Sequence, residues 1–308
     1  MRIALYNIEP HIYNVAMMKV SQYHKQQGDT VEIYNPFQRQ EYDKIYAFSI
    51  FDFSDKGYVT KDMIYGGTGF DISVKLPEEI DNCDYDWSVC PDCDYSMVWF
   101  SKGCIRNCKW CVVRRKEGLI QSVQPKNLNP NGTHIKVMDN NFFANPKWRE
   151  SIKQLQEWNQ PVDFQGIDAR LLNKEQCEAL NSLKHHKQIH IAWDDPEQDL
   201  IPKLKEIIQW IKPYRLMCYV LIGYNSTEEQ DIHRIESLRE LKIDPFVMPF
   251  NKQCQYQKDF ARWVNHKAIF RKVAWKDYKK KEVAGCNADC HDGIPPKTKV
   301  LGILPTIL

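Results

Sequence analysis

Residues 104–111 read Cys-Ile-Arg-Asn-Cys-Lys-Trp-Cys, which places Cys104, Cys108 and Cys111 in the spacing C-x3-C-x2-C. Three thiolates in this spacing can bind three irons of a [4Fe–4S] cube, and they leave the fourth iron without a protein ligand. Such an open iron can bind a substrate or a cosubstrate. The same cysteines could instead hold zinc, but structural zinc normally takes four ligands, so a zinc site would need a further one such as Cys93.

The cysteine triplet follows an apolar segment at residues 95–100, which predicts a β-strand that ends in the loop Ser101-Lys102-Gly103. The spacing, the aromatic Trp110 and this strand-to-loop setting resemble the radical S-adenosylmethionine (radical SAM) superfamily. The resemblance implies that the open iron binds the amino and carboxylate groups of SAM. Reduction, by a donor such as flavodoxin or ferredoxin, would then cleave SAM to methionine and a 5′-deoxyadenosyl radical. That radical would abstract hydrogen from a substrate that the sequence does not identify.

Segments typical of strands and helices alternate between residues 95 and 278. The strands are predicted at 95–100, 134–138, 162–167, 188–193, 215–222 and 245–248. Alternation of this kind predicts an α/β fold with parallel strands and right-handed crossovers, here a partial (β/α)6 barrel of the TIM type. Radical SAM enzymes share that six-unit barrel. Among the helices, we predict one over 197–211, one over 228–241 capped by Ser226, and a last long one over 257–275.

Residues 1–80 predict a smaller Rossmann-like unit with a parallel sheet, in which strands at 2–6 and 30–34 flank a helix at 12–27. Residues 63–67 and 76–79 resemble the end of the cobalamin-binding domain that precedes the barrel in one branch of the superfamily. The unit is short and has no Asp-x-His-x-x-Gly run, so we expect a degenerate domain that does not bind cobalamin. A cysteine-containing linker at 81–94, the barrel at 95–278 and a C-terminal extension at 279–308 complete the expected organisation.

Polar residues follow several of the predicted strands, where parallel barrels gather their chemistry. The resemblance implies that these residues bind SAM: Asp139 or Asn140 its ammonium group, Arg170 its carboxylate, Asp168 a hydroxyl group, Asp194 the ribose diol, and Trp110, Ile222 and Gly223 the adenine. The alternatives are an Asx turn at 139–141, a surface ion pair between Asp168 and Arg170, and core packing for Trp110. No catalytic residue that acts on the substrate can be named from the sequence.

Further cysteines lie outside the triplet, at Cys83, Cys90 and Cys93 and at Cys286 and Cys290. They could hold a second cluster or zinc, or they could be ordinary buried thiols. A second cluster or working cobalamin would favour a radical methyltransferase or methylthiotransferase that acts on RNA or protein. Zinc without SAM cleavage would favour a non-catalytic, metal-stabilised binding protein. A third alternative is a fold that binds SAM in a regulatory role without turnover.

The composition narrows the class of protein further. The chain has 308 residues, 11 cysteines and a formal charge of +2, which argues against a generally basic surface that coats nucleic acid. No apolar run approaches the ~20 residues that a membrane helix needs, and no hydrophobic leader follows Met1. We therefore expect no membrane association and a location in the reducing cytoplasm, where thiols persist as metal ligands or buried residues.

Overall fold

A computed structural model of the chain describes residues 1–278. Its strands are β1 (Arg2–Asn7), β2 (Thr30–Ile33), β3 (Lys44–Phe48), β4 (Ile64–Gly66), β5 (Tyr95–Val98), β6 (Ser101–Lys102), β7 (Gln121–Ser122), β8 (His134–Val137), β9 (Val162–Phe164), β10 (Ile189–Ala192), β11 (Leu216–Ile222) and β12 (Asp244–Pro249).

The helices complete this description. They are α1 (Val15–Gln26), α2 (Glu78–Asp81), α3 (Val113–Lys116), α4 (Trp148–Trp158), α5 (Lys174–Asn181), α6 (Ile201–Ile207), α7 (Glu228–Glu240), α8 (Gln255–Asn265), α9 (Lys267–Lys272) and α10 (Trp275–Tyr278). Short 3-10 turns lie at Pro36–Glu41, Trp87–Val89, Phe142–Ala144, Ala169–Leu171 and Pro213–Arg215. No helix within residues 1–278 is both long and apolar enough to cross a membrane.

The N-terminal sheet has the strand order β2-β1-β3-β4, and all its neighbouring strands are parallel. Helix α1 packs Met17 and Met18 against Ile3 and Leu5 of β1, which buries the apolar face of the sheet. The helix begins three residues later than its apolar pattern predicts, because the side chain of Asn14 accepts the backbone N–H groups of the first turn.

Two further sheets, each of three parallel strands, follow along the chain. Their orders are β5-β8-β9 and β10-β11-β12, so strand order within each sheet follows chain order. A bridge from Val162 to His185 joins the start of β9 to the segment before β10. One buried apolar cluster extends across both sheets, from Val98 on β5 to Val247 on β12. The prediction of a mixed α/β fold with parallel sheets is therefore confirmed.

Two helices differ from the prediction at their N-termini: α7 in its capping residue and α6 in its first residue. Helix α7 is capped by Thr227 rather than Ser226, because Thr227 and Gln230 exchange side-chain and backbone bonds while the Ser226 hydroxyl accepts from the Gly223 N–H. Helix α6 is shorter than the predicted 197–211. Asp195 and Asp199 each accept a hydrogen bond from the backbone N–H two residues later. These bonds form turns, and not helix, in the segment before α6.

The predicted long helix at 257–275 is instead three helices, α8, α9 and α10. The break after α8 falls at His266, whose ψ of 87° is not helical. Asn265 bonds both the N–H and the C=O of Val247, which fixes the end of α8 against β12. Trp263 then packs against both Phe270 and Trp275, at ring distances of 5.2 and 5.4 Å. The apolar pattern reflects this folded-back aromatic cluster and not one continuous stripe.

Candidate functional site

A cleft lies where the parallel strands of the two later sheets end. It holds about 1120 Å³ of space free of atoms, counting its open mouth. Cys104, Cys108 and Cys111 all line it. The other predicted residues that line it are Trp110, Asp139, Asn140, Asp168, Arg170 and Asp194. The carboxyl ends of the strands thus bring together residues that are up to 90 positions apart in the chain.

The loop that carries the cysteines turns sharply at Gly103. Gly103 has φ of +79°, and a Cβ at this position would collide with the carbonyl oxygen of Leu119. Only glycine satisfies both conditions without strain. Strands β6 and β7 pair antiparallel on either side of the loop and close its base. The turn directs the chain from the end of β5 into the cleft at the first cysteine.

The three thiols are partly buried and free of disulfides. Burial, then the neighbouring thiol of Cys111, raises the pKa of Cys108, and burial also raises the pKa of Cys111. Positive metal charge would offset this penalty, because metal ligation deprotonates thiols. Within residues 1–278 no three His, Cys, Asp or Glu side chains are close enough to share one metal ion. A cube makes a different demand, since each thiolate bonds to a different iron.

Glu117 connects the cysteine loop to the end of β8. Its Oε2 accepts from the Gly103 N–H at 2.7 Å and from Asn140 Nδ2 at 2.7 Å. The amide of Asn140 therefore holds the loop in place, in addition to any contact with a ligand. The sequence interpretation missed Glu117, although an acidic residue directly after the basic run 114–116 was a visible signal.

The carboxylate of Asp139 is used inside the protein. The side chain is almost fully buried, and its oxygens accept from the Phe100 N–H at 2.8 Å and from the Ser101 hydroxyl. Burial raises the pKa of Asp139 to about 7. The residue ties the end of β5 to the end of β8. Both oxygens of the carboxylate thus accept bonds from the protein, and the contact of Asp139 with an ammonium group stays a prediction.

Asn141, which the sequence interpretation did not select, offers an acceptor to the cleft. It lines the cleft, and its Oδ1 is buried without a hydrogen-bond partner among the described residues. Its Nδ2 lies 3.9 Å from the Sγ of Cys104. A buried polar atom without a partner usually marks a place where a ligand or water completes the site. Such an acceptor suits an ammonium group bound beside the cysteines.

Asp168 lies between two guanidinium groups. Arg106 donates through Nε at 2.9 Å, and Arg170 donates through Nε at 2.6 Å and Nη2 at 2.9 Å. Burial opposes ionisation, but these donors and their charges hold the pKa of Asp168 below its usual value. The carboxylate therefore orients two cations and is not left for a hydroxyl group. Two positive charges against one negative charge make this wall attractive to a carboxylate.

Asp194 and Trp110 line the cleft in different settings. Asp194 accepts from the Leu221 N–H at 3.2 Å, and burial raises its pKa to about 6. Trp110 is half-buried and packs edge-on against Tyr224, at a ring distance of 5.4 Å. The contact of Asp194 with ribose and the contact of Trp110 with adenine stay predictions.

Ile222 and Gly223 do not line the cleft. Ile222 is fully buried in the apolar core, and a Cβ on Gly223 would collide with the side chain of Gln257. Gly223 therefore allows the end of β11 to approach α8 closely. Tyr219, three residues before Ile222 on β11, and Met248, which pairs with Leu221 from β12, line the cleft in this region.

The cysteines of the linker have apolar surroundings. Cys90 and Cys93 pack in a buried cluster with Leu5 of β1, and burial raises the pKa of Cys90 to about 12. The thiols of Cys83 and Cys93 donate to backbone carbonyls at 3.3 Å. These are the features of unreactive buried thiols. A second metal site remains a prediction, and Cys286 and Cys290 lie outside the described residues.

Comparison with known proteins leaves the site to be interpreted from its own geometry. No protein-family model matches the chain, and no curated protein matches its sequence.

Proposed function

We propose that this chain is a radical SAM enzyme that holds a [4Fe–4S] cluster through Cys104, Cys108 and Cys111 and binds SAM in the adjoining cleft. When bound, the reduced cluster would supply the electron that splits SAM into methionine and a 5′-deoxyadenosyl radical, which abstracts hydrogen from a substrate. The observation that carries the proposal is that all three thiols of the C-x3-C-x2-C motif line one cleft at the ends of parallel strands.

The walls of the cleft support a zwitterionic ligand next to the cysteines. The free Oδ1 of Asn141 would accept from the SAM ammonium group, which has hydrogens to donate. Arg106 and Arg170, oriented by Asp168, would bind the SAM carboxylate. Asp194 would accept from the ribose hydroxyls, and Trp110 would border the adenine. Each of these residues binds or orients the cosubstrate, and none needs to change its charge.

We also propose that the two three-stranded sheets are the halves of an open (β/α)6 barrel. Parallel pairing, a strand order that follows the chain, the bridge between Val162 and His185, and the shared apolar core support this arrangement. In this proposal residues 1–80 are a degenerate cobalamin-type domain without cobalamin. This unit contacts the cysteine loop, since Lys116 Nζ donates to the hydroxyl of Thr68 at 2.6 Å.

The electron would arrive from an acidic protein such as flavodoxin or ferredoxin. Arg114 and Arg115 lie just after the triplet, and the side chain of Ile105 inside it is exposed. Positive charge close in sequence to an exposed apolar side chain favours association with an acidic donor.

The experiment is anaerobic purification and reconstitution of the full chain, followed by iron, sulfide and zinc analysis. SAM and dithionite are then added and 5′-deoxyadenosine is measured. We expect about four irons per chain and release of 5′-deoxyadenosine. About eight irons would indicate a second cluster. Stoichiometric zinc without 5′-deoxyadenosine would overturn the proposal.

A further inference from the structure

A second set of polar side chains lies beneath the cleft, on the strands themselves. Lys136 on β8, Asp163 on β9 and His190 on β10 are polar residues flanked by buried apolar ones, and Lys136 pairs in register with Asp163. Tyr219 on β11 stands beside His190, at a ring distance of 5.3 Å. His190 and Tyr219 line the cleft, while Asp163 lies behind them. None of these residues takes part in the cysteine or SAM contacts described above.

Asp163 and His190 form an incompletely bonded pair. Asp163 Oδ1 and His190 Nδ1 lie 3.4 Å apart, and the two side chains are only 5% and 8% exposed. Neither atom has a hydrogen-bond partner among the described residues. Interiors rarely leave buried polar atoms in this condition, and such exceptions call for an explanation such as a catalytic role. Contacts between catalytic groups are commonly long before the substrate binds and tighten in its presence.

The surroundings of His190 favour the neutral imidazole. Burial lowers its pKa, the charge of Asp163 and a hydrogen bond with the backbone of Phe164 oppose this effect, and the charge of Lys187 adds to it. His185 also interacts with Asp163 and His190. Burial lowers the pKa of Lys136, which interacts with Asp163 from the neighbouring strand. Burial, then the charge of Asp163, raises the pKa of Tyr219 to about 12, so the phenol stays protonated. A neutral imidazole beside a carboxylate is the form that accepts a proton.

We propose that His190, oriented by Asp163, accepts a proton from the substrate, and that the substrate carries a hydroxyl or amino group beside the carbon that loses hydrogen. This inference rests on the proposed function. A carbon radical makes the proton of an adjacent O–H or N–H group more acidic. That proton moves to His190 Nε2, and its bonding electron pair stays on the substrate oxygen or nitrogen. Nδ1 of the resulting imidazolium lies beside Oδ1 of Asp163, whose negative charge stabilises it.

The test measures the tautomer and the reactivity of His190 in the full, reconstituted chain. Ring-¹⁵N histidine NMR is recorded for the wild type, with His190→Gln to assign the resonance among nine histidines. We expect a neutral ring protonated at Nδ1, and a free Nε2 that reacts with diethyl pyrocarbonate. In Asp163→Asn the tautomer is expected to change, and the modification rate of His190 to fall at least about tenfold.

His24 is the internal control. It is buried in the N-terminal unit, its ring nitrogens have partners in Asp29 and Tyr46, and it does not line the cleft. Its modification should be slow and unaffected by Asp163→Asn. A wild-type His190 protonated at Nε2, or one that does not react, would overturn the inference, and this measurement holds even if Asp163→Asn fails to fold. Iron content and 5′-deoxyadenosine from the same preparation test the proposed function separately. If the cluster is absent but His190 has the expected tautomer, the proposed function is contradicted and the assignment of the His190 tautomer is not.

Discussion

Two groups of cysteines in this chain have similar spacing and opposite surroundings. Cys104, Cys108 and Cys111 line a cleft at the ends of parallel strands, on a loop held by Glu117. Cys90 and Cys93, in a C-x2-C spacing, lie in an apolar cluster under the N-terminal sheet. Burial raises thiol pKa values in both groups, but the triplet borders an open cleft, whereas Cys90 and Cys93 are buried. Spacing alone therefore does not separate a metal site from core packing.

The largest expected effect is the loss of the cluster. We expect Cys108→Ser to remove nearly all bound iron and all 5′-deoxyadenosine formation, because two thiolates cannot hold the cube in the cleft. Cys93→Ser is the matched control and should leave iron near about four per chain, at some cost in stability. Iron analysis and product chromatography measure both results. Equal loss of iron in the two variants would erase the contrast between the groups.

The second effect concerns the loop that presents the triplet. Glu117→Ala removes the acceptor for the Gly103 N–H and for Asn140, and an unpaired buried donor costs about 1–3 kcal/mol. We expect a lower urea midpoint and weaker retention of iron on gel filtration. Glu117→Gln keeps one acceptor oxygen and should lie between the wild type and the alanine variant. An alanine variant with unchanged midpoint and iron would show that the loop does not depend on this contact.

The third effect is a dependence of the free energy of unfolding on pH, caused by Asp139 beside the cleft. The pKa of the Asp139 carboxyl group is raised to about 7 in the folded chain. Between the ordinary pKa of an aspartate and pH 7, the folded state therefore keeps this proton, which the unfolded state has already released. Stability should therefore fall as pH rises towards 7, by on the order of 1.4 kcal/mol per pH unit from this group. Urea unfolding at pH 5 to 7.5 measures the slope. Asp139→Asn should reduce the slope, mainly above pH 6, where Asp194 contributes less, and parallel slopes would contradict the assignment.

The smallest effect is expected at Asn141. Asn141→Ala removes the acceptor whose Oδ1 has no partner among the described residues, so SAM should bind about tenfold more weakly while iron content is unchanged. Equilibrium dialysis with the reconstituted enzyme measures the dissociation constant. Asn181→Ala changes an exposed asparagine on α5 and serves as the control. An unaltered dissociation constant in Asn141→Ala would leave Asn140 as the better candidate.

The sequence predicted which residues lie at strand ends. It did not predict the contacts that depend on the direction of each side chain. The apolar patterns located β5 and β8 to β12 within a few residues, so Asp168 and Asp194 could be placed at one edge. Asp139, Asn140 and Asn141 all line the cleft, but which of them keeps an acceptor without a protein partner depends on the path of the chain after β8, which local patterns do not describe. The same limit applies to Gly223, where contact with α8 decides the backbone approach.

The sequence by itself determined the spacing of the cysteine triplet and the alternation of strands and helices, because both depend on spacing over short distances. The polar residues in apolar strands, Asp163 and His190, were also visible in it, but their pairing was not. Only the tertiary structure decided which groups meet across the cleft, which asparagine offers an acceptor and which cysteines are core. Those outcomes depend on burial and on contacts between residues far apart in the chain, and no local period encodes them.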